Sequence, residues 1–185
     1  MDIVHEVSVV AGHAMQGIRA GAEKLASRKL ARGRVPEISV HSVSFEPGVP
    51  LPISCTIEGV GAPPALSFSA VPEAAQSLVV LCEDPDAPQL EPFLHWSVYG
   101  IPSSDSSVDA QKQHDYRLGK NSRSELGYTP AAPPPGHGPH HYHFQVFALD
   151  VPIELAPGAE REELLEVMTD HVLAWGEIVG TYERE

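Results

Sequence analysis

The chain has 185 residues, enough for one domain of about 150 residues plus an extra arm, and its 42% hydrophobic and 20% charged residues exclude a disordered chain. Eighteen prolines and fifteen glycines argue against a helical bundle and for many short strands joined by turns. The formal net charge of −13 excludes a general nucleic-acid binder, since neutralising phosphates takes clustered Lys and Arg.

The charge is unevenly spread. Residues 1–34 hold six basic residues (Arg19, Lys24, Arg28, Lys29, Arg32 and Arg34) against three acids, which leaves 22 acids and six bases, a balance of −16, for the remainder. This predicts a basic N-terminal helical arm, residues 1–35, lying on its own acidic domain, residues 36–185, or on a partner subunit. The start, with Asp2, Glu6 and no base before residue 19, lacks the positive n-region of a secretory leader. No stretch reaches the about 20 apolar residues of a membrane span. The only cysteines, Cys55 and Cys82, need no bridge in a reducing compartment. A cytoplasmic protein is expected.

In chain order, residues 9–32 read as a helix, with Met15, Ile18, Ala22 and Leu25 on one face at spacings of three and four. Such a helix is a candidate contact for a C2 homodimer. Loose alternation from Ile38 to Phe45 is closed by a turn at 47–50, and Ile53 to Ile57 follows. Leu66 to Ser69 alternates briefly. Leu78 to Cys82 is an unbroken apolar run, as in a strand covered on both faces. Leu94 to Tyr99 alternates, placing His95, Ser97 and Tyr99 on one face and Leu94, Trp96 and Val98 on the other. Residues 103–121 read as polar loop, and Tyr142 to Leu149 as a further strand. A helix closes the chain, with acids at 160–163 in its first turn and Leu164, Leu165, Met168, Val172 and Trp175 as its apolar face. Many strands with few helices predict a mainly β sandwich or barrel.

Three segments place polar groups at the ends of buried strands. Asp84-Pro-Asp-Ala-Pro88 follows the apolar run directly, and its prolines stiffen the loop. Phe93-Leu-His-Trp-Ser-Val-Tyr99 carries His95. The third runs from Pro133 to Asp150, with His140, Tyr142, Phe144 and Val146 on one face and His141, His143, Gln145 and Phe147 on the other. Its Pro/Gly lead-in exposes backbone amides near Gly136 and Gly138. Amides, imidazoles and a phenol suit an oxyanion such as phosphate.

These three motifs, in this order over about residues 39–182, resemble the phosphatidylethanolamine-binding family, and Leu94 to Pro102 resembles its bacterial Raf-kinase-inhibitor-like branch. The resemblance implies an antiparallel β-sandwich with Greek-key connections and a pocket for phosphate or a phosphorylated head group at one end of the central sheet. It places Asp84, Asp86, Pro88, His95, His140 and Tyr142 at that pocket, with no cofactor and no metal. Ala132 stands where the family usually has a glycine, a costly exchange if that backbone needs a positive φ. His141 replaces the usual Arg. Relatives are described as inhibitors of kinases or proteases, so a protein target is a further expectation. An ionised Asp84 would repel an anion, which calls for a protonated neighbour and predicts binding that strengthens as pH falls.

Two other readings compete. Gly136, His141 and His143 match the opening of a cupin metal motif, but residues 144–149 supply no acid for the next ligand. A hydrolase using His and Asp as acid and base would need a nucleophile, and none is framed by the motifs.

Overall fold

The computed structural model describes residues 3–31, 33 and 35–185. Arg32 and Arg34, counted above among the arm's cations, lie outside the described residues. The strands are β1 (Ser39–Ser42), β2 (Leu66–Ser69), β3 (Ser77–Asp84), β4 (Phe93–Pro102), β5 (Ser107–Val108), β6 (Arg117–Leu118), β7 (His140–Leu149) and β8 (Val172–Tyr182). They form a three-stranded sheet, β1-β2-β5, and a five-stranded sheet, β6-β4-β3-β7-β8, antiparallel throughout. The mainly β, two-sheet expectation is met.

Strand β3 is buried at every position because both faces of the large sheet are covered. On one side Leu78, Val80 and Cys82 meet Val40, Leu66 and Phe68 of the small sheet. On the other, Val79 and Leu81 pack with Ala26 of helix α2 (Ala26–Leu30) and with Leu164, Leu165 and Met168 of helix α3 (Arg161–Met168). An unbroken apolar run is what a strand between two apolar layers requires.

Four expectations are corrected. The helix over 9–32 is two: α1 (Ile3–Met15) ends early, and a short 3-10 turn (Ala22–Lys24) precedes α2. Between them Ala20 and Gly21 donate their backbone N–H groups to Ala87 and Pro85, and Gly21 has φ 101°, outside helical backbone. The C-terminal helix stops at Met168, where Asp170 is left-handed (φ 65°), and Val172 and Trp175 belong to β8, the strand that closes the chain. Residues 103–121, read as polar loop, hold β5, β6 and a 3-10 turn (Lys112–Asp115), and Ile53–Cys55 is likewise a 3-10 turn. Both cysteines are buried and unpaired, and no described helix is long and apolar enough to cross a membrane.

Candidate functional site

At one end of the large sheet, the loop after β3, the start of β4 and the start of β7 surround a cavity of about 220 Å³. Asp84, Pro88, His95, Ala132, His140 and Tyr142 all line it, together with Phe93, Pro130 and Arg123. Asp86 does not. Its carboxylate turns outward to the Arg19 guanidinium and to His141, whose Nδ1 and backbone N lie 2.7 and 2.8 Å away. Burial opposes its ionisation, but these donors outweigh burial and hold the carboxyl below its ordinary range.

His95 reaches the pocket through a β-bulge. Cys82 pairs with Trp96 and Glu83 with Leu94, so His95 is the extra residue on β4. The bulge overturns the simple alternation: His95 shares the Trp96 face, its ring 5.1 Å from that of Tyr142, while Leu94 joins Tyr99 on the opposite face. His95 Nδ1 donates to the Thr129 carbonyl over 2.8 Å. Burial pushes its pKa down against the pull of Asp84, so the ring is neutral and Nε2 remains an acceptor.

Tyr142 is fully buried, and its hydroxyl has no partner among the described residues. Burial, reinforced by the Asp84 charge, pushes the phenol far above its ordinary pKa, so it is a proton-bearing donor. Ala132 is absent from the described non-glycine residues with positive φ, so its side chain costs no backbone strain there.

His140 is held in a series of hydrogen bonds. Its Nδ1 lies 2.7 Å from Asp84 Oδ2, and its Nε2 lies 2.7 Å from His137 Nδ1. His137 Nε2 in turn lies 2.7 Å from the Met15 carbonyl at the end of α1. All three side chains are buried. Sequence reasoning did not single out His137, although the glycines on either side, at φ 75° and 96°, mark a turn that points it inward. Arg123 was also missed. It projects from a polar loop, and no ion pair engages its guanidinium among the described residues.

The amide expected to serve an anion at Gly136 is occupied, donating to the Arg184 carbonyl. The two histidines of the cupin-like spacing serve different carboxylates, His141 that of Asp86 and His143 that of Glu177. No group of three or more His, Cys, Asp or Glu among the described residues could hold a metal ion.

Comparison with known proteins agrees with this architecture. The sequence pattern of the family described as phosphatidylethanolamine-binding protein matches residues 41–183. A UPF0098 protein of Pyrococcus abyssi is 40% identical over 142 residues, 73% of this chain and 79% of its own length. One from Chlamydia trachomatis is 39% identical over 80% of this chain and 100% of its own. Among solved structures, a phosphatidylethanolamine-binding protein homologue from Chlamydia trachomatis superposes with a TM-score of 0.75 at 38% identity, covering 80% of this chain and 99% of that one. Escherichia coli YbcL, described as a member of the mammalian family, gives 0.75 at 29% identity over 80% and 99%. With the matched pattern spanning both sheets and every strand that borders the pocket, the chain belongs to the phosphatidylethanolamine-binding protein family.

Proposed function

We propose that this protein binds a small phosphorylated anion, such as phosphate or a phospholipid-like head group, in the pocket between Asp84, His95 and Tyr142. The observation that carries this reading is the Tyr142 hydroxyl, a fully buried donor at the pocket wall with no described protein partner. Buried polar groups are nearly always hydrogen-bonded, so such a donor calls for an acceptor from a ligand. Arg123 adds a cation at the wall, and Pro88, Phe93 and Pro130 give an apolar lining for the rest of a head group. The names of the relatives point to the same ligand class. Among the described residues no Ser, Thr or Cys lines the cavity, which favours binding over nucleophilic catalysis. Two buried free thiols fit a cytoplasmic setting.

Isothermal titration with phosphate and phosphoethanolamine, beside Tyr142→Phe, tests the proposal. Saturable binding is expected in the parent protein, weakened about tenfold or more in the variant. The variant should fold at least as stably, because the lost hydroxyl leaves no protein partner unsatisfied. No binding by the parent, or equal binding by both, would overturn this reading.

A further inference from the structure

The N-terminal arm touches the pocket from behind. Gly12 of α1 lies so close to the 135–137 turn that a Cβ there would sit 1.8 Å from the Pro135 carbonyl oxygen. Gln16 Nε2 donates to the Gly136 carbonyl over 2.8 Å. Beyond α1, Ala20 and Gly21 bond to the backbone of the loop that carries Pro88. The arm therefore braces two of the segments that form the cavity, and it begins well before the family match at residue 41.

The hydrogen-bond series fixes a proton count. A carbonyl oxygen only accepts, so His137 must donate Nε2–H to Met15. The His140–His137 and Asp84–His140 contacts need one proton each as well. Three bonds thus require three protons on Asp84, His140 and His137, wherever each one sits. An ionised carboxylate and two neutral imidazoles carry only two. With the series complete, the trio has no net charge. Without the Met15 carbonyl, two protons satisfy the remaining two bonds, and the trio carries −1 beside the cavity. The negative end of the α1 dipole lies at that same carbonyl and favours the added proton.

We propose that docking of α1 holds this extra proton through His137, so that arm docking and anion binding strengthen one another. The proposal rests on the anion reading of the pocket. His137 is a positioning residue: it does not line the cavity but decides the charge of groups that do. The coupling is reciprocal, since an effect of docking on anion affinity implies an equal effect of the anion on docking. The other titratable or charged groups around the series are Asp86, His141, Arg19, His95, His13 and Arg184, with Tyr142 and Cys82, both kept protonated by burial beside Asp84, and Arg123 across the cavity. Asp86, His141 and Arg19 neutralise one another in one cluster. His95 is bonded to Thr129 and Arg184 to the Pro133 carbonyl. His13 is exposed beside Gly136 and outside the series.

The test compares the full-length parent with Gly12→Val and His137→Leu at neutral pH. It reads phosphate titration, the side-chain 15N signals of His137 and His140, and amide exchange over residues 9–15. The parent should show one imidazolium within the pair. Gly12→Val should expose the α1 amides, lose the imidazolium signature and bind phosphate about tenfold more weakly, within the usual range of coupling between sites. His137→Leu, which breaks the series and removes the Met15 contact while leaving the α1 sequence intact, should show the same weakening. Exposed α1 amides with unchanged phosphate affinity and an unchanged imidazolium would overturn the proposal. If Gly12→Val keeps α1 seated, unchanged phosphate affinity in His137→Leu overturns it instead. A parent that binds no phosphate removes the anion reading, while the 15N signals of parent and variants still decide the proton count.

Discussion

His95 sits where a charge is most costly, inside the bulge of β4 and against the rings of Phe93 and Tyr142. Its folded pKa is held below the ordinary histidine value by burial, whereas the unfolded chain takes a proton near pH about 6.5. The sign follows: His95 contributes stability in full above that value, and the contribution is lost as pH falls toward its folded pKa. Asparagine can keep the donor to Thr129 without titrating. The melting temperature of the parent should therefore fall more steeply between pH about 7 and 5 than that of His95→Asn. Parallel curves would mean that His95 is not held neutral. Asp86 also has a lowered pKa, but it loses its contribution only as pH drops below the usual carboxylate range, outside this window. At this scale, Asp84, His140 and Tyr142 were legible because the family resemblance named them as pocket residues, while the buried run and strand alternation only set them at strand ends. His137 and Arg123 were not, since their meaning comes from partners far away in sequence. Asp86 shows the converse: two residues from Asp84 in the same motif, it faces Arg19 instead of the cavity.

The elements hold their places through a few buried polar contacts as well as packing. Glu83, on the β3 face opposite the pocket, is fully buried and accepts from Arg161 Nε at 2.6 Å, Gln145 Nε2 at 2.7 Å and the Ala26 backbone N–H at 2.7 Å. Ser27 N donates to Gln145 Oε1 over 2.9 Å. This network ties the start of α2, the start of α3 and the sheet together. Arg161→Met should leave a buried carboxylate without its cation and cost about 3–5 kcal/mol in urea unfolding. Adding Glu83→Gln should recover much of that loss, because a neutral amide needs no cation. A single-variant cost below about 1 kcal/mol would show that Glu83 tolerates the interior without Arg161. None of this network was visible in the sequence, where Glu83 stands between the apolar run 78–82 and the Asp84–Pro88 segment. Strand β8 was hidden for a different reason. Its buried face includes Gly176 and Gly180, where a Cβ would lie 1.8 Å from the Ile38 carbonyl oxygen and 2.4 Å from a Leu51 methyl. The close approach of the crossing chain needs glycine there, and glycine erases the apolar alternation that announces a strand. Leu164, Leu165, Met168, Val172 and Trp175 meanwhile keep helical spacing by accident.

Across the whole molecule, the opposite charges of arm and body do meet, through Arg19 with Asp86 and Lys29 with Glu91 and Glu162. Composition made that complementarity legible but not its weight. Exposed pairs of this kind contribute about 0–1 kcal/mol each, so burial decides how firmly each part of the arm is held. Leu25 and Ala26 are fully buried, and α2 is bonded to Glu83 and Gln145. By contrast, Met15 to Gly21 is held by backbone bonds and by the polar contacts of Gln16 and Arg19, and of its largely exposed side chains Ala20 alone is buried. Local opening follows such differences in burial. Under limited trypsin digestion the first cut is expected after Arg19, with Lys24, Arg28 and Lys29 spared, leaving a stable body that begins near residue 20. Higher salt should speed that cut by screening the Arg19–Asp86 pair. First cuts after Arg32 or Arg34 would instead put the boundary near residue 35 and make the arm one detachable unit, α2 included.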